Sequence, residues 1–260
     1  MIFIGERLNS SIPSVKALID GGDTAALTDI IKAQSAAGAD FLDVNTALCA
    51  DELASMKQLF DLIIQNSDCG IVIDTPDTSV CSSAAEYIRS KTDRQCIINS
   101  ITINERHECI KIAKEYGMGL VVLLTDDGGI PDTSEKRTDN AAKAIEMLRR
   151  KGFPDEKIYI DFIVESAAAS GEAASVAVST VRELRGRYPS VHILGGLSNI
   201  SFGLPKRSII NQAFMTVAAF SGMDCAICDV TSANMHKAAA AAEALNGSDD
   251  FCLEYISTFR

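Results

Sequence analysis

Val191-His192-Ile193-Leu194-Gly195-Gly196-Leu197-Ser198-Asn199-Ile200-Ser201-Phe202-Gly203-Leu204-Pro205-Lys206-Arg207 passes from an apolar run, through a glycine-loosened turn, to a proline suited to opening a helix. Val191 to Leu194 has the apolar, β-branched character of a buried strand. Gly195-Gly196 is expected to let the backbone turn sharply and approach a ligand without Cβ obstruction. Asn199 is expected in open loop. Pro205 fits a first helical position, which would leave Lys206 and Arg207 beside free backbone N–H groups, an arrangement that favours an anion. An ordinary strand-to-helix turn with Asn and Ser as turn formers accounts for the same residues. The choice depends on the rest of the chain.

The same strand-then-helix unit recurs on either side of this stretch. Strands are expected at Ile2 to Gly5, Phe41 to Val44, 70 to 74, 96 to 99, 119 to 124, 158 to 162, 191 to 194 and 224 to 228. Helices are expected at Thr24 to Ala37, then near 51 to 66, 79 to 90, 104 to 116, 135 to 151, 171 to 186, 205 to 221 and 233 to 246, several of them ended by a glycine. Strict alternation implies a parallel sheet with right-handed crossovers, and eight units in a chain of 260 residues suit a closed (β/α)8 TIM barrel. A doubly wound open sheet is the runner-up. One domain spanning residues 1–260 is expected, since no linker, repeat or low-complexity tract breaks the pattern. The polar stretch Thr125 to Asp132 reads as a solvated turn or a lid.

Composition narrows the function. A hydrophobic content of 47% is ample for a large core, and a net charge of −11 opposes nucleic acid or an anionic membrane as partner. No basic leader with an apolar core opens the sequence and no apolar run approaches a membrane span, so a cytoplasmic location is expected. The eight cysteines show no repeated metal-ligand spacing and read as reduced thiols. Cys225-Ala226-Ile227-Cys228 lies in an expected strand, where residues three apart point to opposite faces and chelate poorly. No intrinsic metal is expected.

Barrel enzymes keep their chemistry where strands end. Those positions here are Glu6 with Asn9, Asp43 with Asn45, Asp74, Asn99, Asp126, Asp161, Asn199 after the seventh strand, and Asp229. Asp and Asn also cap helices and form turns, and Asp126 and Asp229 fit that explanation. Asp74 and Asp161 lie too far before the next helix to cap it, so together with Asn99 they are the stronger site candidates. A ligand for carboxylates and amides should offer several N–H donors in one plane, as the 2-amino-4-oxopyrimidine edge of a pterin does.

These residues also carry a resemblance. Ile4-Gly5-Glu6-Arg7-Leu8-Asn9, Gly38-Ala39-Asp40-Phe41-Leu42-Asp43-Val44-Asn45, the Asp74 and Asn99-Ser100 strand ends and, above all, Gly196-Leu197-Ser198-Asn199-Ile200-Ser201-Phe202-Gly203-Leu204-Pro205 closely resemble the methyltetrahydrofolate:corrinoid methyltransferases. These are pterin-binding barrels related to dihydropteroate synthase and to the folate domain of methionine synthase. The resemblance covers essentially the whole chain. It implies that Asp74, Asn99 and Asp161 hold the pterin ring and that Asn199 reaches the reacting N5. It further implies tetrahydrofolate or methyltetrahydrofolate as substrate, a corrinoid (cobalamin) carried by a partner protein, and a homodimer. Gly196, Ser198, Lys206 and Arg207 are candidates for substrate binding, the last two for the folate's anionic glutamate tail. Glu6, Asn9, Asp43 and Asn45 are secondary candidates.

The chemistry fits independently. Expelling N5 from its methyl group requires stabilisation of charge developing on nitrogen, and no His, Lys or Cys lies in the loop immediately around Asn199. The amide, directly or through water, is the candidate. No Asp-x-His-x-x-Gly stretch surrounds His107, His192 or His236, so the corrinoid is expected on another protein. Dihydropteroate synthesis, a phosphate-binding barrel enzyme and a non-catalytic folate-binding protein remain alternatives.

Overall fold

A computed structural model of the chain describes residues 1–259. Strands β1 (Ile2–Asn9), β2 (Phe41–Asn45), β3 (Gly70–Asp74), β4 (Cys96–Ile101), β5 (Gly119–Leu123), β6 (Ile158–Asp161), β7 (His192–Gly196) and β8 (Cys225–Cys228) each pair in parallel with the next. β8 pairs back with β1, which closes the barrel and excludes the open sheet. Around it lie α1 (Pro13–Asp20), α2 (Thr24–Ala36), α3 (Glu52–Asn66), α4 (Thr78–Lys91), α5 (Glu108–Glu115), α6 (Ser134–Arg150), α7 (Ala173–Arg187), α8 (Arg207–Phe220), α9 (Ala233–Asn246) and α10 (Leu253–Ser257). Eight of these are the expected partners of the strands.

α1 and α10 escape the sequence reading for a physical reason. α1 is two turns long and buries only Val15 and Ile19, while α10 buries nothing, so neither displays an apolar period long enough to read. Gly152 and Gly222, expected to end helices, stand at φ 69° and 114°, a left-handed conformation that glycine adopts without Cβ strain. Among the described residues no helix is long and apolar enough to cross a membrane.

Side chains alternate across each strand, and this sorts the core into two parts. Ile4, Phe41, Val72, Ile97, Val121, Tyr159, Leu194 and Cys225, one from each strand, fill the barrel interior, while alternate residues pack beneath the helices. Cys225 and Cys228 accordingly fall in different clusters, inside and outside the barrel wall. Six of the eight cysteines are buried, and all eight are free thiols.

Most strands differ from expectation by a residue or two at a boundary, and the differences at β1 and β7 bear on the site. β1 runs on through Glu6 to Asn9, with a register shift against β2 between Gly5 and Leu8. β7 runs through Gly195 and Gly196 instead of ending before them, so these glycines are strand residues. Gly195 does not clear a path for ligand. A Cβ there would stand 2.5 Å from the Phe162 ring, so the glycine makes room for a buried aromatic side chain. Gly195→Ala is expected to cost ~1 to 3 kcal/mol through overpacking, read as a lowered urea midpoint at unchanged slope. An unchanged midpoint would show that Phe162 can move aside.

Candidate active site

The mouth of the barrel follows from the period of two. One step of two residues beyond the apolar interior layer, the same strand faces carry Glu6, Asp43, Asp74, Asn99, Leu123, Asp161, Gly196 and Ile227. A greasy plug thus gives way to a layer in which carboxylates and an amide predominate. Pairing sets Asn45 beside Asp74 and Asp74 beside Asn99, and Asn9 beside Asn45.

Hydrogen bonds hold this layer in orientation. Asn45 Nδ2 donates to Asp74 Oδ2 at 2.8 Å, while Asn45 Oδ1 accepts from Ser10 Oγ and the Ala47 N–H, both at 3.2 Å. Asp43 Oδ1 is buried without a hydrogen-bond partner among the described residues, with the Asn99 amide near enough to favour the ionised carboxyl. Burial, then the charges of Asp74 and Glu6, hold the Asp43 carboxyl well above the ordinary range, favouring its protonated form. Burial also raises Asp74, against the Asn45 hydrogen bond and the Arg106 charge. Asn45 and Arg106 thereby help keep Asp74 an acceptor.

Asp161 stands at the end of β6 between Leu123 of β5 and Leu194 of β7. Burial lifts its carboxyl to about 6, and the Ile163 N–H, donating to Oδ1 at 2.8 Å, and the Arg137 charge pull it back. The group is ionised at neutral pH and ready to accept N–H donors.

The connection from β7 to α8 is more ordered than open loop. Leu197–Ser201 forms a 3-10 turn that leaves Asn199 exposed, with its Nδ2 positioned so that a Cβ on Gly196 would come within 3.3 Å. Glycine at 196 therefore leaves space for the Asn199 amide. Ser198 Oγ donates to Glu6 Oε1 at 2.6 Å, tying this connection to β1 across the barrel seam. The Glu6 carboxyl is raised, mainly by burial, against that hydrogen bond.

The expected helix opening at Pro205 is displaced. α8 begins at Arg207, and Lys206 is its N-cap in the left-handed conformation. Arg207 is not a free cation, since its Nε donates to Ser201 Oγ at 3.0 Å and its Nη2 to the Ser198 carbonyl at 2.6 Å. Its guanidinium braces the Asn199 turn from outside. Lys206 is exposed and keeps its reach.

Other candidates fall outside this layer. Asp126 is a turn residue, accepting the Gly128 N–H and Asn140 Nδ2, so Thr125 to Asp132 contains a compact turn. Asp229 likewise accepts from the Thr231 N–H and hydroxyl. His107 is bonded to the Ile103 carbonyl, His192 to Asp224, and His236 packs on Phe3. Hollows open at the mouth. One of ≈440 Å³ is bordered by Asn45, Asp74, Asn99 and Arg106, and one of ≈240 Å³ by Glu6, Ser198, Arg207 and Asn211. A hollow of ≈490 Å³ at the opposite end, near Phe41, Tyr159 and His192, lies behind the apolar plug and away from the strand ends. Arg106 and Arg137 were not legible in sequence, because a lone arginine in a polar stretch reads as solvated.

Comparison with known proteins agrees with this architecture. The chain is 33% identical over 265 residues to a methylcorrinoid:tetrahydrofolate methyltransferase of Eubacterium limosum, covering all of this chain and 96% of the relative. It is 28% identical over 247 residues to methionine synthase of Mycobacterium tuberculosis, covering 87% of this chain but 20% of that longer protein. A dihydropteroate synthase of Coxiella burnetii, solved in complex with pteroic acid, superposes with a TM-score of 0.69 at 15% identity, over 95% of this chain and 94% of that one, a likeness of fold. Residues 5–229 match the pterin binding enzyme family, and with that match added to the barrel and the whole-length relative, the chain belongs to this family.

Proposed function

We propose that this protein is a methyltransferase moving a methyl group between N5 of methyltetrahydrofolate and the cobalt of a corrinoid presented by a separate protein, in either direction. The observation that carries the reading is the ordered carboxylate and amide layer at the barrel mouth, with the exposed Asn199 beside it. The name of the whole-length relative supports the same reaction type.

Each residue has a task in this reading. Asp74 and Asp161 accept N–H donors from the pterin edge, and Asn99 offers both a donor and an acceptor. Asn45 holds Asp74, whose strand pairing sets Asn99 beside it, with Asp43 and Asn9 alongside. Glu6, through Ser198, and Arg207, through the Ser198 carbonyl, fix the turn that carries Asn199. The uncharged amide then hydrogen-bonds N5 as charge develops there, an interaction stronger in the transition state than before it. The folate face bearing the methyl group stays open to the corrinoid, which supplies the cobalt nucleophile or the methyl donor.

The barrel acts as one domain in the cytoplasm and as a homodimer. Exposed Ile209, Val217 and Phe220 on α8 provide an apolar face suited to a second copy. With Arg207 committed to the turn, Lys206 is left as the cation for the glutamate tail. Lys206→Glu is expected to weaken binding of polyglutamylated methyltetrahydrofolate several-fold more than the monoglutamate, measured by calorimetry. Equal effects on both would remove Lys206 from the tail site.

Dihydropteroate synthesis is tested by supplying a pterin pyrophosphate and p-aminobenzoate. The proposed reading expects no dihydropteroate under conditions where methyltetrahydrofolate binds. Enzyme-dependent formation of dihydropteroate would contradict it.

A further inference from the structure

We propose that Arg137, on α6, is a positioning residue that holds Asp161 and the turn behind it in pterin-binding geometry by clamping the ends of two barrel loops. The inference rests on the reading of Asp161 as a pterin ligand and adds a residue outside the ligand layer.

Arg137 is 0% exposed. Burying a guanidinium is costly unless its donors are satisfied in good geometry, so its contacts state its purpose. Nε donates to the Pro131 carbonyl at 2.9 Å, at the end of the β5–α6 loop. Nη1 donates to the carbonyls of Phe162 at 3.1 Å and Ile163 at 2.7 Å, the two residues that follow Asp161. Nη2 bonds the Glu165 carboxylate, which is 37% exposed at its outer side.

Ile163 shows why the clamp is needed. It stands at φ 60°, a left-handed conformation that β-branched residues rarely adopt. That conformation turns the Ile163 N–H back onto Asp161 Oδ1 at 2.8 Å. The guanidinium holds the carbonyl on the other side of the same residue, so the fork fixes the turn and the turn aims the carboxylate. A buried apolar side chain would fill the volume but leave both carbonyls unpaired.

Charge makes the role separable from packing. The strand neighbours of Asp161 are Leu123 and Leu194, Arg137 is the charge that acts on it from α6, and Glu165 faces that charge from the same loop. Removing the guanidinium should make Asp161 harder to ionise. Removing the Glu165 charge, with Arg137 in place, should make it easier.

The test follows the dissociation constant for methyltetrahydrofolate from pH 5 to 8 in the intact protein, with the Asp161 carboxyl carbon followed by ¹³C NMR without folate. Arg137→Gln is expected to raise the midpoint of Asp161 titration by about one pH unit, and with it the pH below which affinity falls. Glu165→Gln, which keeps the clamp, is expected to move both midpoints downward. Arg137→Lys retains charge without the fork and should weaken binding about tenfold, as lost bidentate geometry predicts, with little change in midpoint. If Arg137→Gln does not fold, the opposite displacement in Glu165→Gln decides. Unmoved midpoints in folded Arg137→Gln or Glu165→Gln, or unweakened binding in folded Arg137→Lys, would overturn the proposal. Asp161→Asn with unaltered folate affinity would instead sink the pterin assignment of Asp161, leaving the NMR result to judge the clamp by itself.

Discussion

Replacing Asn199 by alanine is expected to slow single-turnover methyl transfer at saturating methyltetrahydrofolate by roughly 10²- to 10³-fold, with a much smaller change in folate affinity. The magnitude is that of deleting one preorganised donor to a charge that grows during reaction. The location supports it, since Asn199 is exposed on a turn pinned by Ser198 to Glu6 and by Arg207 to the Ser198 carbonyl. Holding a neutral amide there costs little before the methyl group moves, and its contribution comes when N5 becomes the better hydrogen-bond partner. Asn199→Asp separates donor from shape. An ionised carboxylate would repel charge on N5 while a protonated one donates to it, so transfer by this variant should improve as pH falls toward the carboxyl pKa. If Asn199 served only to shape the turn, the alanine variant would lose stability or binding and keep a transfer rate within about threefold of wild type, the outcome that rejects a transition-state contact.

Asp161→Ala is expected to raise the dissociation constant for methyltetrahydrofolate about tenfold to a hundredfold, on the scale of ~1.5 to 3 kcal/mol for hydrogen bonds to a charged group. Because such bonds are made to reactant and transition state alike, the bound-state rate should change less than the affinity. The wild type carries a matching pH signature. Burial puts the Asp161 carboxyl at about 6, above its ordinary range, and the carboxylate is the form that accepts the pterin N–H groups. Affinity should therefore be flat above that value and fall as pH drops through it, approaching about tenfold per pH unit. The alanine variant should have lost that dependence. Titration calorimetry across this range checks both, and an affinity in the folded variant equal to wild type would exclude Asp161 from the site.

The barrel was legible because its evidence is local and repeated. Each helix announces an apolar stripe, each strand an apolar run, and strict alternation leaves few topologies. The acidic layer was legible for a related reason, since Asp43, Asp74, Asn99 and Asp161 each lie two residues beyond an interior apolar side chain. What sequence could not show depends on contacts between distant segments. Gly195 looked like a loop glycine because the Phe162 ring that forbids a Cβ there belongs to another strand's end. Arg207 looked like a free cation beside a helix start, but its Nε and Nη2 donate to Ser201 and Ser198. Arg137 sits in the polar run Ser134-Glu135-Lys136-Arg137-Thr138-Asp139-Asn140, which reads as a solvated helix start, although α6 turns that one charge wholly inward.

Methyl transfer itself is read by mixing the protein with methyltetrahydrofolate and a cobalt(I) corrinoid in a stopped-flow spectrometer under exclusion of oxygen. Enzyme-dependent loss of the cobalt(I) absorption is expected, with matching growth of the methylcobalt spectrum, saturable in methyltetrahydrofolate, and the reverse change from methylcorrinoid and tetrahydrofolate. Tight binding of methyltetrahydrofolate with an unchanged cobalt spectrum, whether the corrinoid is free or carried by a corrinoid protein, would contradict the proposed methyl transfer.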